Sequence, residues 1–308
     1  MPHRAGPCIL AFPRASDRRR GSGRRSGAAR LACAALAALA ALGALTPAAL
    51  ADAPDRVVSM NLCTDQLAML IADDGQLHSV SHVALDPRAS AMADEAARHR
   101  INHGRAEEVY LMQPDLVLTS TLSARHTTAM LRRLGIPVIT LAPANSLEDV
   151  HDRILEMGAA LGREDRARAI AAAFDEDLAR LRATATTRPS AVLYYANGYT
   201  LGDQTLAGQI LLAAGFSNAA SAAGYETGMR MPLEVLAMTA PDTVVTSRRY
   251  PGASRAEDIM DHPVVQALRH SSTAAAIADH DWLCGTPHVL RAIESLVRTR
   301  RALQGDGS

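Results

Sequence analysis

Aromatic side chains are scarce in this sequence, and four of them fall where predicted strands end. The chain has three Phe, six Tyr and one Trp, yet Tyr195, Tyr199, Tyr250 and Trp282 all lie in predicted loops of its C-terminal half. Such rings would stack on a flat macrocycle or a catecholate, while Arg248 would pair with an anionic oxygen of the same ligand. The alternative is structural, with Tyr194 or Tyr195 packed in the core and Trp282 anchoring the last helix.

Two further candidates follow predicted strands in the N-terminal half. Cys63 comes after the first strand and His82 after the second. Because open α/β sheets bind ligands at the carboxyl ends of their strands, both are candidate ligand-binding residues. A thiol nucleophile with a histidine base is the enzymatic alternative, but the sequence identifies no third residue to orient that base.

Capture of a bare metal ion such as zinc is a separate hypothesis. Eleven histidines are present, and His99 and His103 have the i, i+4 spacing that would place two imidazoles on one helix face. The segment from Ala96 to Gly104 is charged, however, and offers no carboxylate at a supporting spacing. That pattern favours a solvated surface and predicts no metal site.

Several enzyme classes are excluded by composition and motif. The sequence contains no lysine, so neither a G-x-x-x-x-G-K-[ST] phosphate loop nor a Schiff-base lysine can form. The G-x-G-x-x-G and G-x-S-x-G motifs are absent as well. Binding is therefore a better expectation than catalysis.

The first 51 residues are typical of an export signal. Arginines crowd residues 1–30, an apolar run extends from Leu31 to Leu45, and a small-residue site precedes Asp52, where we predict cleavage. Eight of the 32 basic and one of the 32 acidic residues precede Asp52, which leaves 24 against 31, a net formal charge of −7. The exported chain would be periplasmic, and its charge argues against nucleic acid or anionic membrane as a partner.

Two long-range repeats indicate a two-lobed chain. The segments from Glu107 to Ser120 and from Glu234 to Ser247 agree at Glu, Pro, Asp, Val, Thr and Ser. Each predicts a short helix that opens on a glutamate, a Pro-Asp turn that ends it, and a buried strand that closes on Thr-Ser. Two lobes of one design, with a cleft between them, follow from this repeat.

Alternating strand and helix patterns predict an α/β fold with two Rossmann-like lobes. A helix from Glu164 to Leu181 would join them, about 27 Å long at roughly 1.5 Å per residue. The predicted organisation is a signal peptide over 1–51, an N-terminal lobe over 52–163, a connecting helix over 164–188 and a C-terminal lobe over 189–308.

This organisation resembles the periplasmic substrate-binding proteins of ABC importers for iron-siderophores, haem and vitamin B12. The resemblance rests on the stretch Arg56-Val57-Val58-Ser59, the two repeats, and Leu134-Gly135-Ile136-Pro137-Val138. It implies a monomeric binding protein with no catalysis and no cofactor of its own, which captures a metal chelate in its cleft.

The resemblance also implies roles for two residue pairs. Glu107 and Glu234 would dock on the membrane permease, whereas the alternative is that each is a solvated first-turn residue favoured by the helix dipole. Cys63 and Cys284 remain after export and fall in loops near the cleft, one on each lobe. They would form a disulfide, coordinate a soft metal, or remain two unrelated thiols.

Overall fold

The computed structural model describes residues 53–182, 188–247, 252, 254–271, 275–303 and 305. The predicted signal peptide therefore lies outside the described residues. Within them, no helix is long and apolar enough to cross a bilayer.

The first lobe is built on a five-stranded sheet with the order β3-β2-β1-β4-β5, in which every neighbouring pair is parallel. Parallel pairing requires crossover connections, and helices supply most of them. Its elements along the chain are β1 Val57–Ser59, α1 Leu62–Ile71, β2 Leu77–Ser81, α2 Ala93–Ala96, β3 Arg100–Asn102, α3 Ala106–Leu111, β4 Leu116–Ser120, α4 Arg125–Arg133, β5 Val138–Leu141 and α5 Leu147–Leu161.

The second lobe is built on a four-stranded parallel sheet with the order β11-β10-β6-β8, beside an antiparallel pair formed by β7 and β9. The helix α6, Glu164–Arg182, leads into it from the first lobe. The remaining elements are β6 Ser190–Leu193, β7 Tyr199–Leu201, α7 Leu206–Ala213, β8 Ser217–Asn218, α8 Ala219–Ala222, β9 Gly228–Arg230, α9 Leu233–Thr239, β10 Thr243–Ser247, α10 Pro263–Ser271, β11 Ala275–Ile277 and α11 Val289–Leu303.

The sequence repeats occupy equivalent places in the two lobes. β4 pairs with β1, the first strand of its lobe, and β10 pairs with β6, the first strand of the other. The Asp115 carboxylate accepts the backbone N–H of Arg56 at 3.0 Å, just before β1, and the Asp242 carboxylate accepts that of Ser190 at 2.7 Å, where β6 begins. The aspartate of each Pro-Asp pair therefore ties the end of the repeat's helix to the start of the neighbouring strand.

One face of the helix α6 is packed against the core. Ala167, Ala171, Phe174 and Leu178 recur at helical spacing and are buried, which is the pattern of a helix with one apolar face. They belong to one continuous cluster that includes core residues of both sheets. The connecting helix is thus part of the core that the two lobes share.

Local structure at three places bears on the sequence hypotheses. His99 and His103 do not share a helix face, because the backbone between them forms the strand β3. The chain then forms a short 3-10 turn over Asp258–Asp261, followed by α10, which begins at Pro263. His82 directly follows β2, as predicted, and begins a 3-10 turn.

Candidate ligand cleft

Two loops that follow strand ends are linked across the lobes. A disulfide joins Cys63, in the first turn of α1, to Cys284, in the loop before α11, with an S–S distance of 2.10 Å. The Asn61 side chain caps α1 by accepting the Cys63 N–H at 3.1 Å, so the cap and the cross-link fix the same turn. Of the three possibilities raised for these cysteines, the structure contains the disulfide.

Two further contacts cross between the lobes beside the disulfide. His280 Nδ1 lies 2.9 Å from the Pro87 carbonyl oxygen. Gly285 approaches the first lobe so closely that an added Cβ would lie 2.2 Å from the Ala144 Cβ. The loop between β11 and α11 is therefore seated directly against the first lobe.

A cavity of about 540 Å³ opens on one side of this loop. That volume is within the range of small-molecule sites. The first lobe contributes the segment after its 3-10 turn, and the second lobe contributes the ends of β6, β7 and β10. The lining residues are Asp86, Arg88, Ala89, Tyr195, Ala196, Tyr199, Leu201, Ser247, Asp279, Trp282 and Leu283.

Three of the predicted aromatic residues meet in this cavity. The rings of Tyr195 and Trp282 stack with centroids 5.4 Å apart and an interplanar angle of 23°, a favourable geometry for aromatic pairs. Tyr199 lies beside them and is 48% exposed. The Tyr195 N–H donates to the Tyr199 carbonyl oxygen at 2.8 Å, which holds the strand ends of β6 and β7 together.

The polar atoms of the stacked rings have no hydrogen-bond partner among the described residues. This is true of both the Tyr195 hydroxyl and the Trp282 Nε1. Burial raises the pKa of Tyr195, and the Asp279 carboxylate raises it further, so the phenol stays protonated. Both groups are therefore donors, and buried donors require acceptors.

Acidic side chains outnumber basic ones in the described lining of this cavity. Asp86 and Asp279 contribute carboxylates, and Arg88 contributes a guanidinium. Arg88 Nη2 lies 2.7 Å from Asp86 Oδ2, and this hydrogen bonding lowers the pKa of Asp86 to about 2. The positive charge of Arg88 is thus already compensated before any ligand arrives.

A second cavity, of about 340 Å³, lies at the carboxyl ends of β1, β4 and β5. Cys63 lines it, as do Asn61 and Ser120, while Leu283 lines both cavities. Arg153 also contributes, and its Nε is buried without a partner among the described residues. Leu283, the residue before Cys284, therefore lies between two adjoining cavities at the strand ends.

The remaining predicted ligand residues are placed elsewhere or lie outside the description. His82 is not among the residues that line either cavity; its ring stacks on His103 with centroids 5.1 Å apart. Arg248 and Tyr250 lie outside the described residues. Cys63, offered as a nucleophile, has its sulfur in the disulfide.

The metal hypothesis also changes with the structure. A carboxylate does support His103, contrary to the expectation, because Glu108 accepts its backbone N–H at 2.8 Å and lies 3.3 Å from its Nδ1. In the described part of the chain, no group of three or more His, Cys, Asp or Glu residues is arranged to hold a metal ion.

Asp86, Arg88 and Asp279 were missed by the sequence interpretation. They lie in or beside short 3-10 turns and loops, where no period of two or 3.6 residues marks which side faces a cleft. Their position depends on the contact between His280 and Pro87, which joins segments 193 residues apart. No local signal could have found them.

Glu107 and Glu234 occupy the second position of α3 and α9. Both side chains are exposed. Neither lines either of the two cavities. The two carboxylates therefore lie outside the cavity that contains the aromatic stack.

Two parallel α/β lobes, a long helix between them and a cleft lined from both sides define a solute-binding protein. The model of the periplasmic binding protein family matches residues 57–271, and the chain belongs to that family. Its members are binding proteins, not enzymes, and membership implies a periplasmic or extracellular location.

Named relatives fall in the same class. A cobalamin-binding protein of Halobacterium salinarum is 26% identical over 206 residues, which cover 65% of this chain and 56% of that protein. A periplasmic haem-binding protein from Pseudomonas aeruginosa superposes with a TM-score of 0.66 at 20% identity, covering 83% of this chain and 94% of the other. The vitamin B12 binding protein BtuF of Vibrio cholerae gives 0.60 at 17% identity, covering 82% and 98%. At these identities, the two structures show that the fold is shared.

Proposed function

We propose that this protein captures a corrinoid in the cleft beside the Tyr195–Trp282 stack and delivers it to an ABC permease. The observation that carries the proposal is the stack itself, which borders a cavity of about 540 Å³ reached from both lobes. A flat macrocycle offers the ring face and apolar area that such a stack binds. In this proposal a cleaved leader precedes an N-terminal lobe over 52–163, a connecting helix over 164–188 and a C-terminal lobe over 189–308.

The charge of the described part of the lining favours a corrinoid over the other chelates. Haem propionates and catecholate siderophores are anionic and need cations to replace their water. The described lining offers two carboxylates and one arginine that already contacts Asp86. A corrin ring bears neutral amide side chains, so its recognition does not require a cationic lining. The cobalamin-binding relative supports the same choice.

Ligand identity is tested by calorimetry on the chain from Asp52 onward, titrated with cyanocobalamin, haemin and a ferric catecholate. We expect cyanocobalamin to bind most tightly. Tyr199→Ala should weaken it, whereas Tyr110→Ala, a tyrosine of matching exposure (49% against 48%) outside the cavity, should not. Tighter binding of haemin or the catecholate would overturn the corrinoid assignment and leave chelate capture standing.

Delivery is tested by uptake of labelled cobalamin in the source cells. Glu107→Ala with Glu234→Ala should abolish uptake and leave calorimetric affinity unchanged. Glu148→Ala with Glu164→Ala is the matched control, because these glutamates also lie exposed in the first turns of helices. Normal uptake by the first double variant would refute docking through these carboxylates.

A further inference from the structure

The two most exposed large apolar side chains among the described residues occupy equivalent positions in the two repeats. Met238 is 84% exposed and Leu111 is 79% exposed. Leu111 follows Glu107 by four residues on α3, and Met238 follows Glu234 by four on α9. The sequence comparison of the repeats did not reveal this match, because leucine and methionine are not identical.

The core does not require these side chains. Between each glutamate and its apolar partner, Val109 and Leu236 lie at matching positions, and both are 0% exposed. Those two residues anchor α3 and α9 to their lobes. Residues four apart lie on one helix face, so Leu111 shares an outward face with Glu107, as Met238 does with Glu234.

We propose that each pair, Glu107 with Leu111 and Glu234 with Met238, forms a docking pad for a cation set beside an apolar pocket. The proposal rests on delivery to a permease, and it names what that permease must present: the same cation and apolar pocket twice. A partner with two-fold symmetry would offer such a pair of sites.

The two halves of a pad have different tasks. Exposed charges steer encounter and fix orientation, and their effect declines with salt. A large apolar side chain that enters a pocket contributes affinity after contact and is much less sensitive to salt. A partner that lacked the apolar pocket would leave Leu111 and Met238 in water in the complex, as they are in the free protein.

The test replaces both apolar side chains by glutamine, which is similar in length to methionine and compatible with helices. Leu111→Gln with Met238→Gln should lower uptake of labelled cobalamin by at least tenfold at subsaturating protein. Calorimetric affinity for cyanocobalamin and the thermal midpoint should stay at wild-type values. Leu134→Gln with Met229→Gln is the control, since these residues are exposed (45% and 47%) and lie outside the pads. Leu111→Met with Met238→Leu should retain uptake.

The outcomes separate this inference from the proposed function. Wild-type uptake by the glutamine pair, together with lost uptake by the Glu107→Ala and Glu234→Ala pair, would overturn the apolar half of the pads while leaving delivery intact. Wild-type uptake by both pairs would overturn the pads and the docking surface together. Loss in the Leu134 and Met229 control as well would overturn the assignment, since exposed apolar residues in general would then matter.

Discussion

The disulfide between Cys63 and Cys284 gives the sharpest prediction, because it closes most of the chain from Asp52 onward into one loop. The cross-linked residues are 221 positions apart. The chain-entropy relation for a loop of that length gives about 5 kcal/mol of stabilisation through the restricted unfolded state, at the top of the usual range of about 2 to 5 for native disulfides. Cys63→Ser with Cys284→Ser should therefore lower the free energy of unfolding by about 2 to 5 kcal/mol.

Urea unfolding of the chain from Asp52 onward measures this loss. The slope of the unfolding free energy against urea should rise in the double variant, since an unfolded chain without the cross-link exposes more surface. Wild-type protein reduced by a phosphine should behave like the variant, because both lack the same bond. Intact mass should show the oxidised protein lighter than its reduced form by two hydrogen atoms.

A loss below about 1 kcal/mol, with two free thiols by alkylation, would refute the cross-link.

Effects on ligand affinity should accompany the effect on stability. Trp282 lies two residues before Cys284, and Leu283 lines both cavities, so freeing this loop should weaken cyanocobalamin binding. Unchanged ligand affinity in a destabilised variant would mean that the loop holds its place without the sulfur bridge.

Three more predictions concern single sites. Trp282 is the chain's one tryptophan, so a bound corrinoid should quench its fluorescence emission. Trp282→Ala should weaken binding by up to about tenfold, because stacking contributes about 0.5 to 1.5 kcal/mol. Unchanged Trp282 emission at saturating ligand would mean that the residue is structural. Burial raises the pKa of Asp65 to about 6, so the folded state holds its proton where the unfolded state has lost it. Stability should therefore fall by about 2 kcal/mol as pH rises from 4 to 7. Asp65→Asn should remove that fall, which urea midpoints at the two pH values would show. Gly285→Ala should lower stability by about 1 to 3 kcal/mol by crowding Ala144. Adding Ala144→Gly should restore the lost stability in the double variant. A double variant that stays destabilised would mean that the strain arises from another contact.

Much of the fold could be predicted from local sequence patterns. The connecting helix was predicted from Glu164 to Leu181, one residue short of its observed end at Arg182. Helical periodicity and capping residues such as Ser146, which begins a capping box with Asp149, are local signals. The repeats likewise specified two matched helix-turn-strand units, because their turns are encoded by adjacent residues.

Short elements were beyond those patterns. The strand β3 has three residues, and β7 and β9 pair with each other across almost thirty positions. A segment of three residues has no measurable period, so its state depends on the strand beside it. For this reason the sequence did not reveal the strand between His99 and His103.

The sequence by itself determined the class of protein and the two-lobed design, and it supplied the aromatic residues proposed to bind a ligand, because residue type, repeats and periodicity are properties of the chain. Tertiary structure alone decided which of those residues meet. It placed Tyr195 against Trp282, put Asp86 and Arg88 in the lining of the same cavity, stacked His82 on His103, and left Leu111 and Met238 in water. Each of these results depends on whether side chains far apart in sequence come into contact or stay exposed to solvent. Both are decided only when the lobes fold and pack.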